Sequence, residues 1–409
     1  MAQVNLAQNI GLDAATTGGS TGLIHEPTAA AFNDELYYTG NWFAGHSSDG
    51  GTTWAHVDPY TALPSAAGGF CCDQVTLHER NRNLWLWVLQ YSKAGGTNVF
   101  RLAASTSGRP AGWFYWDFSP AALNPAWANL WFDYPDAATT NDHLYITYNM
   151  FDNTAPKNRL IQSLVFKLPL DGIVNRNLQY EYYVINTHGS LRLTRGATSD
   201  MFFGSHQTIN PLRVFQWPDA AGSRLSYFDV TGANWSATDP YTSQAPDGAN
   251  WLGRIDSRTT GAWVVGSQAG FLWTANSSAG RPQPYVKALV VDTGTQAIVS
   301  QPDIWDNNVA WAYPAVCPNV NGVVGLSLFY GGGGNYPTHA VGVMDAGAWV
   351  LAGTVASTNG PTDSTWGDYL SCETVDPNGD EWVASGYSLQ GGNTRQFIRP
   401  QYVRFGVTP

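Results

Sequence analysis

The chain is poor in charge and in cysteine: only 12% of its 409 residues are charged and four are Cys (Cys71, Cys72, Cys317, Cys372). Four cysteines are too few for a disulfide framework, and they lack zinc-ligand spacing. They leave the redox compartment open. Basic runs are absent and the formal net charge is −11, so neither nucleic acid nor an anionic membrane surface gains counterion-release energy from this protein. No stretch approaches the roughly 18 apolar residues of a membrane span. Met1-Ala2-Gln3-Val4-Asn5 has no charged segment followed by an apolar core, so any secretion leader is expected to be already removed. Two Asn-x-Ser tripeptides, at Asn234 and Asn276, suit a secreted, extracellular protein.

What is abundant is aromatic and glycine: 18 Trp, 20 Tyr, 17 Phe and 43 Gly. That composition describes short strands and tight turns rather than amphipathic helices. One pattern recurs through the whole chain: a polar or charged lead residue, a short strand, a turn with Asn, Asp or Gly, then an aromatic strand. The lead residues are Glu26, Asp73, Asp133, Arg195, Arg254, Tyr313 and Asp368, separated by 47, 60, 62, 59, 59 and 55 positions. A two-sheet sandwich would place strand signals every 8–12 residues with no longer period. An interval near the length of one four-stranded sheet predicts instead an all-β, seven-bladed β-propeller of four-stranded antiparallel blades. It is expected to occupy 1–409 as one domain, with the N-terminal segment helping to close the ring. Trp131, Trp311 and Trp366, beside the lead strands, suit the wedge-shaped gaps between blades.

Residues 47–54 read Ser47-Ser48-Asp49-Gly50-Gly51-Thr52-Thr53-Trp54. In a hairpin turn Asp49 can accept from backbone N–H groups, Gly51 can supply a positive φ, and Trp54 can bury its ring beneath the loop. This octapeptide resembles the Asp box, Ser-x-Asp-x-Gly-x-Thr-Trp, of the sialidase-like propeller superfamily. The resemblance implies a turn between the third and fourth strands of a blade, on the face away from the ligand, and makes Asp49 structural. Degenerate echoes begin at Ser105 and Asn276, and are expected at the corresponding turns of blades two and five.

In a propeller the first strand of each blade starts, and the second ends, at the same mouth of the central tunnel. The lead residues therefore form a ring, with an acidic arc (Asp368, Glu26, Asp73, Asp133) facing Arg195 and Arg254, and Tyr313 between. Second-strand ends are expected to add Asn41, Gln90, Asn149, His206, Gln268 and Tyr387, and His25 precedes Glu26. Crowded carboxylates raise one another's pKa and so supply a general acid, or they bind a cation such as calcium. No cofactor is required.

The reading is an extracellular carbohydrate-active propeller acting on an acidic sugar or glycan. If the enzyme is hydrolytic, Glu26 and Asp73 form the acid pair and Tyr313 or Tyr387 stabilises developing positive charge. If it is a lyase, His206 or Tyr387 abstracts a proton beside a uronate carboxylate held by Arg195 and Arg254. The alternatives are a lectin stacking sugars on Trp42, Trp127 and Trp251, and a protein-interaction propeller. Cys71-Cys72 directly precedes Asp73; a vicinal disulfide is conceivable at this rim, and two packed thiols are the expectation. Cys317 and Cys372 are expected not to bridge.

Overall fold

A computed structural model of the chain describes residues 3–18, 26–154, 159–375 and 379–408. Seven four-stranded antiparallel sheets are the blades of a propeller. Their inner strands are Thr28–Phe32, Phe70–Glu79, Leu130–Thr139, Arg192–Leu193, Thr259–Val265, Ala310–Pro318 and Cys372–Val375. Helix is confined, among the described residues, to short pieces such as Pro120–Leu123 and Leu170–Val174. The seventh blade joins the two ends of the chain. Its outer strand Gln3–Gly11 pairs antiparallel with Ile398–Thr408, from Gln3 opposite Thr408 to Gly11 opposite Gln401. No described helix is long and apolar enough to cross a membrane.

Aromatic rings fill the space between blades; of the three tryptophans expected there, Trp366 is buried, whereas Trp131 and Trp311 stay partly exposed. Trp85, Trp87, Trp217, Trp251, Trp366 and Trp382 are fully buried. Trp382 donates its indole N–H to the Cys317 carbonyl at 2.8 Å, across blades six and seven. Gly325 makes room for that ring: a Cβ there would lie 2.4 Å from the indole nitrogen. Side chains this large bury enough apolar surface for each to stabilise its interface by about 2–3 kcal/mol.

The turn at 47–54 joins Phe43–Ser47 to Ala55–Val57, the third and fourth strands of blade one. Asp49 accepts from the Thr53 N–H at 2.9 Å and the Thr53 hydroxyl at 2.6 Å, and Ser47 Oγ accepts from the Gly51 N–H at 2.9 Å. These donors hold the Asp49 carboxyl down at about 2. Gly51 takes φ +92° and Trp54 is 6% exposed. The echo at Ser105 occupies the matching turn of blade two. The echo at Asn276 does not. It follows Gln268–Ala275 and precedes Tyr285–Asp292, so it lies between the second and third strands of blade five, at the opposite face. Asn276 is also unsuited to glycosylation, being 6% exposed with its amide donating to the Pro240 carbonyl at 3.1 Å, whereas Asn234 is exposed.

Candidate functional site

Irregular backbone at the start of the inner strands aims the site's side chains. The ladder slips between Phe70 and Gln74, between Asp133 and Asp136, and between Ala312 and Ala315. Such bulges swing one or two side chains out of the pleat. At matching positions Glu26, Tyr134 and Tyr313 take φ of 60°, 58° and 59°, and each is followed by proline. A left-handed non-glycine residue costs on the order of 1–3 kcal/mol, so three in one ring mark a geometry held by its surroundings.

The four acids of the predicted arc converge. Glu26 and Asp73 are in side-chain hydrogen-bond contact, and Asp133 and Asp368 lie close enough to act electrostatically on both. Asn41 donates to Glu26 Oε2 at 2.8 Å, and Gln90 donates to Asp133 Oδ1 at 2.9 Å. Burial, followed by the negative charge of Asp368, pushes the Glu26 carboxyl up to about 8 despite the Asn41 bond. Burial and then Glu26, Asp133 and Asp368 push Asp73 well above the usual carboxylate range. Burial also raises Asp133, against the pull of Gln90 and the Tyr134 N–H. Glu26 and Asp73 thus hold a proton between them at neutral pH.

Among the described residues, the cation at this mouth is Arg258. It pairs with Asp368 at 3.2 Å and with Asp256 at 2.7 Å, and its guanidinium lies 4.4 Å from the centre of the Tyr134 ring. Tyr134, Tyr148, Tyr313 and Tyr369 complete the walls. Each is at most 6% exposed, and none of their hydroxyls has a partner among the described residues. Tyr387 packs on Phe329 and Trp366, with ring centres 4.9 and 5.1 Å away, and is electrostatically coupled to Tyr313 and Glu26. Among the described residues, no three acidic, His or Cys side chains are disposed to hold a metal ion; repulsion between the acids is relieved by the shared proton and Arg258.

Several expected members of the ring lie elsewhere. Arg195 is past the end of its inner strand, where its backbone bonds the Ala262 carbonyl and the Val264 N–H of blade five. Its side chain reaches into the tunnel, pairing with Asp136 at 3.0 Å and Glu373 at 2.8 Å. Arg192 joins the same cluster, 2.9 Å from Asp136. These four charges plug the tunnel below the acids. Arg254 is exposed, four residues ahead of the arginine that does reach the site. Gln268 begins rather than ends its strand, is exposed and belongs to the opposite face. Asn149 is committed to structure: its oxygen accepts from the Ser190 N–H at 2.7 Å and Ser163 Oγ at 2.9 Å.

His206 sits between Trp235 and Trp273, ring centres 5.1 and 5.2 Å away, and burial lowers it to about 4. It is a neutral ring in an aromatic slot. Trp251 is wholly buried, so it is no sugar platform, whereas Trp42 and Trp127 keep partial exposure. His25 lies outside the described residues. Cys71 and Cys72 are joined in a vicinal disulfide, contrary to the expectation of two thiols, and Cys317 and Cys372 are buried free thiols.

Voids at the site are small, such as a water-sized one of about 10 Å³ lined by Asp256, Arg258, Thr274, Tyr313 and Asp368. A cavity of about 490 Å³ opens at the opposite mouth, where Arg195 and Glu373 meet Glu79, Arg80, Asn141 and Asn319. Its volume is larger, but the perturbed acids lie at the upper mouth, and the plug separates the two.

No family model matches the chain, and no curated protein matches it. Among solved structures, the α-L-arabinofuranosidase Arb93A of Fusarium graminearum in complex with an iminosugar inhibitor is 11% identical with a TM-score of 0.46, covering 98% of this chain and 97% of its own. The α-L-arabinanase of Penicillium chrysogenum complexed with arabinobiose is 10% identical with a TM-score of 0.44, covering 99% and 98%. A subtype N10 neuraminidase-like protein of A/little yellow-shouldered bat/Guatemala is 8% identical with a TM-score of 0.42, covering 81% and 96%. Likeness of this degree says nothing about activity or substrate.

Proposed function

We propose that the protein is an extracellular carbohydrate-active propeller that cleaves glycosidic bonds by acid catalysis at the upper mouth of its tunnel. The observation that carries this is the convergence of Glu26, Asp73, Asp133 and Asp368 at one mouth, where burial and mutual repulsion push Glu26 up to about 8 and Asp73 well above the usual carboxylate range. A proton donor with a pKa near the working pH is what departure of a sugar oxygen needs.

Glu26 and Asp73 are linked by a side-chain hydrogen bond, whereas an acid and its nucleophile or base stand roughly 5–5.5 Å apart in retaining glycosidases and about 6.5–9.5 Å in inverting ones. Glu26 and Asp73 therefore act as one unit, the general acid, rather than as the acid and its partner. Asp368, oriented by Arg258 at 3.2 Å, takes the second role, as nucleophile or as base toward water. Asp133 and the Tyr313 hydroxyl line the space in which positive charge develops on the sugar.

The substrate class shifts with the arginines. With Arg195 in the plug and Arg254 on the surface, neither of the expected arginines is free to meet a uronate or sialate carboxylate here, and Arg258 is already shared by two acids. A neutral glycan fits this mouth better than an acidic one. The lyase route weakens for the same reason, since both arginines were to hold the uronate; of its two candidate bases, His206 is enclosed by Trp235 and Trp273 and Tyr387 is packed on Phe329 and Trp366. The Asp-box-like turn supports placing the chain with sialidase-like propellers in architecture, and the Cys71–Cys72 bond suits an oxidising, extracellular setting.

The test is turnover of a panel of neutral and uronate-containing aryl glycosides and polysaccharides by the wild type, Glu26→Gln and Asp73→Asn. Hydrolysis of a neutral member, reduced about 10²–10⁴-fold in either amide variant with folding intact, is expected. Turnover untouched by both substitutions, or none on any member, would sink the proposal.

A further inference from the structure

The vicinal disulfide lies inside the acidic mouth. Phe70 pairs with Tyr91 and Gln74 with Leu89, so Cys71, Cys72 and Asp73 together stand opposite the single residue Gln90. This is a bulge with surplus chain, and a bulge of that kind re-aims the residue at its end. Here that residue is Asp73. Cys72 Sγ is 3.8 Å from the Gln90 amide nitrogen, and the same amide donates to Asp133 at 2.9 Å. Both cysteines are partly exposed, so a solute can reach the bond.

Without the cross-link, the surplus residues would have many conformations open to them, and the cost of freezing the backbone is about 1–2 kcal/mol per residue. The covalent ring between adjacent cysteines removes that freedom at 71 and 72. It leaves Asp73 against Glu26, and it sets Cys72 Sγ beside the same Gln90 amide nitrogen that donates to Asp133. One small ring thus bears on three of the four acids.

We infer that the Cys71–Cys72 disulfide is a positioning element of the acid dyad, and that a small dithiol switches the site off by opening it. The step is thiol–disulfide exchange. The dithiol is oxidised to its own cyclic disulfide, the Cys71–Cys72 bond takes up two electrons and two protons, and two thiols form. Asp73 then moves away from Glu26, and the proton they share is bound less tightly. Glu26 and Asp133 keep their Asn41 and Gln90 bonds, so the fold and the propeller ring persist.

The inference depends on the acid–base reading only for its effect on turnover, so two readouts are needed. The first, free of any substrate, follows the side-chain carboxyl carbons by NMR during pH titration of three samples: oxidised protein, protein reduced with dithiothreitol, and Cys71→Ser/Cys72→Ser. The second is turnover of the best substrate by the same samples. Intact mass after iodoacetamide should show two added groups on the reduced native protein, at Cys71 and Cys72, with buried Cys317 and Cys372 unmodified. The expected result is that the high titration of the dyad falls by at least one pH unit in both disulfide-free samples, with turnover down tenfold or more and a melting temperature almost unchanged. A titration shift without any turnover in the oxidised protein would support the positioning role and overturn the hydrolase reading. Identical titrations in all three samples would overturn the inference itself, whatever the activity.

Discussion

Glu26→Gln should leave the protein more stable at alkaline pH while removing its proposed activity. An ordinary glutamate titrates near 4.5, and Glu26 is pushed up to about 8. A raised carboxyl pKa means that the folded state keeps a proton the unfolded chain gives up. The wild type therefore loses stability as pH rises from about 4.5 and stops losing it above about 8. Each pH unit in that window costs about 1.36 kcal/mol, so the gap of roughly 3.5 units caps the effect near 5 kcal/mol. Glu26 keeps some solvent contact and shares its titration with Asp73, which brings the expected value to about 2–3 kcal/mol. Glutamine is isosteric with the neutral acid, accepts from Asn41 and does not titrate. At about 2.1 cal/mol/K per residue, a chain of 409 residues should melt about 3 °C higher at pH 8.5 as the variant than as the wild type. At pH 4 the two should melt together. Calorimetric scans across pH 4–9 decide it: parallel wild-type and variant profiles would refute the reasoning.

Other consequences are equally specific. Arg258→Ala removes a positive charge that lowers both Glu26 and Asp133, so the alkaline limb of the pH–rate profile should move above 8, with lower turnover as Asp368 loses its partner. A limb that stayed in place would separate Arg258 from the dyad. Asp136→Asn leaves Arg192 and Arg195 without the carboxylate they share and should cost about 3–5 kcal/mol in urea unfolding. A loss below about 1 kcal/mol would mean that Glu373 alone can neutralise the plug. Asp49→Ala removes the acceptor of the Thr53 N–H and should speed amide exchange at Thr53 without changing turnover. Because Asp49 is held down at about 2, the stability this turn adds in the wild type should be present above pH 4 and disappear as pH falls through 2.

How much of this could be read from the sequence depends on how regular each blade is. The acids at 26, 73, 133 and 368 were found because each stands at or near the start of an inner strand with an aromatic second strand close behind. Blade four defeats that rule. Its inner strand is the two-residue Arg192–Leu193, after which the chain pairs with blade five, so Arg195 sits beyond the strand that the spacing makes it lead. Blade five is preceded by a long connection, and the spacing fell on Arg254 when the side chain at the mouth is Arg258. A cue was present: Glu26-Pro27, Tyr134-Pro135 and Tyr313-Pro314 share a residue–proline step at one depth. Aligning blades on that step would have set the register from the backbone rather than from charge. The disulfide had no such cue, since adjacent cysteines read alike bonded or free.

The proposed chemistry requires Glu26 and Asp73 to share a proton in a mouth that otherwise holds charge. Site-resolved carboxyl titration of the oxidised protein measures it directly, with Glu26→Gln and Asp73→Asn to assign the resonances. One Glu and one Asp should titrate together, with the midpoint of Glu26 near 8 and that of Asp73 well above the carboxylate range. If both carbons instead titrate independently between about 3.5 and 5, as in ordinary carboxylates, the dyad does not exist and the proposed chemistry falls with it.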